Sequence, residues 1–228
     1  MKLKSMRSGL LAAGLALMSL SACADVVTQP AAGVTRVQFK LPGELQIRYG
    51  TQEKLTIDAD AKVIPMLDIA VKGDSLVLAS KRGFRTDKDL KFTLTIRSLQ
   101  SVKSEGSGNV VIENFAGGNI EVDAAGSGNM RLKDIKPGRL AILIEGSGAV
   151  DAFGSGETVI ARITGSGNID TTNFRARTVE ADISGSGDIK VHADDKLKAD
   201  ISGAGNIEYR GKAKVTQSVS GAGSVDRL

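Results

Sequence analysis

The chain has 228 residues, of which 41% are apolar and 25% charged, the balance of a folded domain rather than a disordered one. Tryptophan is absent and aromatic residues make up 4%, which excludes a core built on large rings, while glycine reaches 27. Lys and Arg outnumber Asp and Glu by 30 to 26, but Lys2, Lys4 and Arg7 lie at the extreme N-terminus. The remainder is nearly neutral, with no electrostatic footprint for nucleic acid.

Residues 1–22 read as a lipoprotein signal peptide. A basic start is followed by an uncharged apolar stretch, Leu10 to Leu20, which is shorter than the roughly 20 residues that span a bilayer. Leu20-Ser21-Ala22-Cys23 resembles the lipobox of bacterial lipoproteins, which implies cleavage before Cys23 and diacylation of its thiol. Cys23 is the only cysteine, so it has no disulfide partner in this chain. Ala24 behind it resembles an outer-membrane sorting signal. The expectation is an exported protein, held by lipid in the cell envelope at the outer membrane. Residues 23–33, small and polar, read as the lipidated tether.

Residues 34–228 read as a single β-domain. Its first part, 34–100, alternates apolar and polar residues: Val37-Phe39-Leu41, Leu45-Ile47-Tyr49, Leu55-Ile57-Ala59, Leu76-Leu78 and Phe92-Leu94-Ile96. Turn signals such as Leu41-Pro42-Gly43-Glu44 and Lys72-Gly73-Asp74-Ser75 separate these runs. They form either irregular first coils that cap a solenoid or a small separate β-layer, and the first is favoured. No strong helix is evident from Val34 onward.

Residues 101–228 carry an internal repeat. Gly-Ser-Gly or Gly-Ala-Gly begins at Gly106, Gly126, Gly146, Gly165, Gly185, Gly203 and Gly221, with spacings of 20, 20, 19, 20, 18 and 18. Four residues after each first glycine stands an apolar residue: Val110, Met130, Val150, Ile169, Ile189, Ile207 and Val225. Positions two, four and six before it are mostly apolar and alternate with polar residues. Each repeat thus predicts strand, glycine corner, strand and variable loop, the loops including Glu113 to Gly118, Asp134 to Arg139 and Asp194 to Lys196. A unit this small buries an apolar face only by stacking on its neighbours, so seven such units predict seven regular coils of a parallel β-helix. The glycines serve either a left-handed backbone or a place too crowded for a Cβ. The following Asn109, Asn129, Asn168 and Asn206 predict a partial ladder along the stack, interrupted at Ala149.

The strand Val37-Gln38-Phe39, the run Leu94-Thr95-Ile96 with Leu99, and the series of Gly-Ser-Gly-Asn-Ile corners together resemble the head GIN domain family of auto-transporter adhesins. The resemblance covers about residues 34–228. It implies a right-handed parallel β-helix and adhesion, and it carries no catalytic residues to this chain.

Some β-helices act on polysaccharides through paired carboxylates. Asp182 and Asp200 fall in one outward column, with Asp194-Asp195 in a nearby loop and Lys190, Lys196 and Lys198 close enough to balance them. His192, the only histidine, has Asp194 near it but no nucleophile at a motif. No Cys/His cluster suggests a metal, and the glycine motifs lack a phosphate loop's lysine and helix, so no metal or cofactor is expected. The leading expectation is a non-enzymatic envelope lipoprotein presenting a β-helical binding surface. Its partners are the membrane, through its lipid, and a glycan or envelope protein. Homo-oligomers through the solenoid ends are a further expectation, since an open end exposes strand backbone. The alternatives are a periplasmic scaffold and a polysaccharide-active enzyme.

Overall fold

Alternation of apolar and polar residues puts every second side chain on one face of an extended chain, and here that face is buried through most of the stack. A computed structural model describes residues 26–86 and 88–228, so Cys23 lies outside the described residues. The first part forms β1 (Val26–Pro30), β2 (Arg36–Phe39), β3 (Glu44–Tyr49), β4 (Lys54–Asp58), β5 (Leu67–Lys72), β6 (Ser75–Ser80) and β7 (Lys91–Ile96). The repeats form β8 (Ser101–Ser104), β9 (Asn109–Glu113), β10 (Asn119–Ala124), β11 (Met130–Ile135), β12 (Arg139–Ile144) and β13 (Ala149–Ile163). They continue as β14 (Asn168–Ile183), β15 (Ile189–Ile201), β16 (Ile207–Arg210), β17 (Lys214–Val219) and β18 (Val225–Arg227). The only helical piece among the described residues is a single 3₁₀ turn, Ile64–Met66.

Neighbouring coils pair in parallel and in register. Ile169 lies opposite Ile189, and Ile189 opposite Ile207. Val159, Val179, Leu197 and Val215 form a second column, and Ala161, Ala181 and Ala199 a third. Ile169, Ile189 and Ile207 are fully buried. Each such burial contributes about 1.5–3 kcal/mol, so the stacked columns are the main source of stability. The chain is therefore a parallel β-solenoid, as its repeat predicts.

The corners answer the question left open by the glycines. None of the corner glycines has a left-handed φ. A Cβ on Gly126 would stand 1.9 Å from the carbonyl oxygen of Gly106, and one on Gly187 would stand 1.7 Å from that of Gly167. Crowding between successive coils, not backbone conformation, excludes a side chain. The residue after each corner forms the predicted ladder by an unpredicted route. The side-chain oxygen of Asn109 accepts from the backbone N–H of Asn129 at 2.9 Å, and that of Asn129 accepts from Ala149 at 3.1 Å. Asn168, Asp188 and Asn206 repeat this upward. An acceptor oxygen is all the step requires, so Asp188 serves as well as asparagine, and at Ala149 the chain falls back on the carbonyl of Gly148.

The variable loops differ from expectation in the later coils. Between Ala149 and Ile201 the segment joining one coil to the next is itself strand, hydrogen-bonded across coils, as in Gly154 opposite Phe174. Asp194 to Lys196 thus lies within β15. The side chain of Phe174 is fully buried and fills the interior on this flank.

Residues 34–100 close the opposite end, but not in chain order. The coil made by β2 and β3 is sandwiched: β2 pairs with β6 and β8, and β3 with β7 and β9, all in parallel. The later strands β6 and β7 therefore lie outside the earlier ones. The chain gets there by reversing, with β4 antiparallel to β7 and β5 antiparallel to β6. β1 completes this end by pairing antiparallel with β4. Its residues fall in the stretch read as tether, because Val26-Val27-Thr28-Gln29-Pro30 is too short to show a period. Ala31 and Val34 behind it are buried.

Substituting Gly187 by Ala is expected to cost more than about 3 kcal/mol, because backbone rather than a movable side chain meets the new methyl group. Gly83, which has open space around its Cβ position, is the control. Equal melting temperatures for Gly187→Ala and Gly83→Ala would refute the crowding argument.

Candidate binding groove

A regular coil is smooth, so any recess has to arise where a turn departs from the repeat. The turns 97–100, between β7 and β8, and 114–118, between β9 and β10, do so. Asn114 takes φ 64°, which reverses the chain directly after β9. Phe115 then turns inward, 4% exposed, and its ring meets that of Tyr49 edge-on at 6.5 Å. Gly117 and Gly118 follow with φ 76° and 66° and open space where side chains would stand.

These turns and the flank of the next coil enclose a groove of about 660 Å³. Leu99, Phe115 and Ile120 line it as buried core side chains; the exposed Gln100, Asn119 and Glu121 supply polar groups. Two arginines line it. Arg97 Nε lies 3.8 Å from a Glu53 carboxylate oxygen, and its guanidinium donates to the Thr51 carbonyl at 3.4 Å, with its side chain 64% exposed. Arg139, on β12, lies opposite Asn119 in register. Its guanidinium makes no ion pair or hydrogen bond with the described residues. An open trough with a free guanidinium, a weakly held one and two amides can grip an extended, hydroxylated, acidic ligand. Sequence reading identified the loop Glu113 to Gly118 but not the arginines, which come from other coils and share no motif with it.

The residues singled out in the sequence lie elsewhere. Asp182 and Asp200 are opposite one another on β14 and β15, beside a recess of about 210 Å³. Lys198 binds the Asp200 carboxylate at 2.8 Å, an interaction that raises the lysine pKa. Asp194 and Asp195 are balanced by arginines one coil back rather than by the neighbouring lysines. Arg175 donates to Asp194 at 2.9 Å and Arg177 to Asp195 at 2.9 Å. His192 Nε2 does approach Asp194, at 3.3 Å, but the strands on either side place Arg175 and Arg210 next to it. Among the described residues, no group of three or more His, Cys, Asp or Glu side chains could hold a metal ion.

The outward charges follow the stack. Lys103 meets Asp123 at 2.7 Å, and Arg131 meets Asp151 at 2.8 Å. The Asp123 hydrogen bond raises the pKa of Lys103.

The molecule is thus a parallel β-solenoid capped at one end, with a polar groove along its flank. The chain belongs to the family described as "Putative auto-transporter adhesin, head GIN domain", whose model matches residues 34–213. A solved structure described as a "putative adhesin" from Bacteroides fragilis NCTC 9343 is 25% identical with a TM-score of 0.83, over 89% of this chain and 97% of that one. A "putative lipid binding protein" from Parabacteroides distasonis ATCC 8503 shares the fold at 23% identity and TM-score 0.70, over 89% and 96% of the two chains. A "putative adhesin" from Parabacteroides merdae ATCC 43184 does so at 23% and 0.69, over 89% and 95%. No curated protein matches the sequence.

The Arg175 hydrogen bond holds the Asp194 carboxyl below its ordinary value of 3.8. A depressed carboxylate contributes stability above its unfolded-state pKa and loses it as pH falls through the lower folded-state value. Asp194→Asn is therefore expected to lower the melting temperature slightly at neutral pH, with the gap closing in acid. A gap that persists to the most acid pH at which the protein stays folded would refute the linkage.

Proposed function

We propose that this protein is a non-enzymatic adhesin of the cell envelope, binding an acidic glycan in the groove between turns 97–100 and 114–118. The observation that carries this reading is the free guanidinium of Arg139, in the same groove as Arg97. A planar guanidinium matches a sugar carboxylate through two parallel hydrogen bonds. Gln100, Asn119 and Glu121 offer both donors and acceptors to ring hydroxyls. The groove is only partly enclosed, so a ligand reaches it directly from solvent.

Export and lipidation at Cys23 belong to the same reading. β1 begins three residues beyond Cys23, at the capped end of the solenoid. Acyl chains on Cys23 would hold that end at the membrane, each buried CH₂ contributing about 0.8 kcal/mol. The rest of the stack would then project away from the bilayer. Membrane and glycan are the partners of this reading.

A second reading, lipid binding, draws on the description of the Parabacteroides distasonis relative. A glycan array and a vesicle flotation assay on the full-length protein separate the two. Carboxylated glycans are expected to bind, more weakly as salt rises. Arg139→Ala is expected to lower that affinity at least about tenfold, the loss of one charge-assisted contact, without changing the melting temperature. Unchanged glycan affinity in that variant would overturn the assignment, and capture by vesicles alone would favour lipid. Radiolabelled palmitate is expected on the wild-type chain and not on Cys23→Ser; label retained by the variant would exclude the anchor.

A further inference from the structure

The two ends of the solenoid are finished differently. At the capped end the free edges are β1, which carries Pro30, and β5, which carries Asp68 and Lys72. Proline and charge are the usual guards against edge-to-edge pairing. At the other end β17 pairs with β15 and β18 with β16, and each leaves its second edge open. Asp226 and Arg227 guard β18. β17 is guarded only at its start, by Lys214: from Val215 to Val225 the chain carries no charged residue and no proline. The strand beneath it carries Lys198 and Asp200 at the positions of Thr216 and Ser218.

The same strand leaves its core face uncovered. Val215, Gln217 and Val219 continue the columns of Leu197, Ala199 and Ile201, all buried one coil below. Val219 is 42% exposed. Gln217 is exposed and stands where the coil beneath has a buried alanine.

The pattern around Gln217 is its own complement. Val215-Thr216-Gln217-Ser218-Val219 reads the same in both directions by residue type: apolar, hydroxyl, amide, hydroxyl, apolar. We propose that β17 docks against β17 of a second copy of this chain, antiparallel, about a two-fold axis through Gln217. In that register Val215 meets Val219 of the second copy, which extends the apolar columns across the junction. Thr216 meets Ser218, two hydroxyls able to pair, and the two Gln217 side chains face each other, each amide a donor and an acceptor. No like charges are opposed. A head-to-tail arrangement would instead set Val215 to Val219 against the proline or charges of the capped edges. An isologous contact closes on itself, so it ends at the dimer rather than a filament. This assembly is independent of what the groove binds.

The test uses full-length protein in non-ionic detergent. Sedimentation is expected to show a dimer for the wild-type chain. Gln217→Lys, which sets two ammonium groups against each other at the axis, is expected to weaken it at least about tenfold with an unchanged melting temperature. Thr216→Lys/Ser218→Glu pairs opposite charges in the proposed register and is expected to keep the dimer; Thr216→Lys/Ser218→Lys is expected to lose it. Gln217→Cys is expected to form an intermolecular disulfide under mild oxidation, beyond any formed by the wild-type chain with its Cys23, since directly opposed residues lie within bonding reach. A wild-type monomer would overturn the proposal. So would a dimer indifferent to Gln217→Lys, or a Gln217→Cys chain that does not cross-link, and a monomer that takes up only a foreign strand would assign the edge to another partner.

Discussion

Backbone packed directly on backbone at the glycine corners is the constraint from which the rest of this structure follows. Each corner lies so close to the one below that a single methyl group would collide with a carbonyl oxygen less than 2 Å away at most levels. Contact this close fixes where one coil sits on the next. Once it is fixed, the side chains two and four residues away have no freedom of register. Ile stacks on Ile and Ala on Ala, and the interior fills in columns. A slip of one residue would send every buried side chain to the outside.

The exterior obeys the same rule. Because coils superpose at intervals of 18 to 20 residues, charges separated by one interval become neighbours. Lys103 with Asp123, Arg131 with Asp151 and Arg175 with Asp194 are all pairs of this kind. They lie at the surface, with the two arginines exposed and the carboxylates partly buried, and individually contribute little. Their value is selective, since a shifted stack would set like charges together. The side-chain oxygens of Asn109, Asn129 and Asn168 add one backbone contact per coil at the same levels.

Much of this was legible in the sequence because one physical demand recurs in every coil. The glycine pair, the apolar residue four places on and the alternation before it each report the same packing. The apolar runs Val37-Phe39, Leu45-Ile47 and Phe92-Leu94 were equally legible as strands. Their direction was not. Alternation has the same period in parallel and antiparallel strands, so nothing in the residues says that β6 and β7 lie beneath β2 and β3. The loops were misjudged in the later coils, where Gly154 and the buried Phe174 let the chain continue as strand. The groove was half visible. Its double glycine marks a turn, but Arg97 and Arg139 reach it from other coils, and a linear pattern does not record that meeting. The arginine partners of Asp194 and Asp195 were hidden for the same reason.

The inverted order of the first coils also governs how such a molecule can change in size. The coil of β2 and β3 is locked between a later coil and the regular stack, and the strands outside it are tied together by two chain reversals. Inserting a coil there would break pairings on both of its faces. Duplicating a coil within the regular stack would simply present the same corner and the same columns to the next level. One terminus of the rod is therefore architecturally frozen, while its body is modular. Gaining or losing whole repeats would alter how far it extends without redesigning either the cap or the groove next to it.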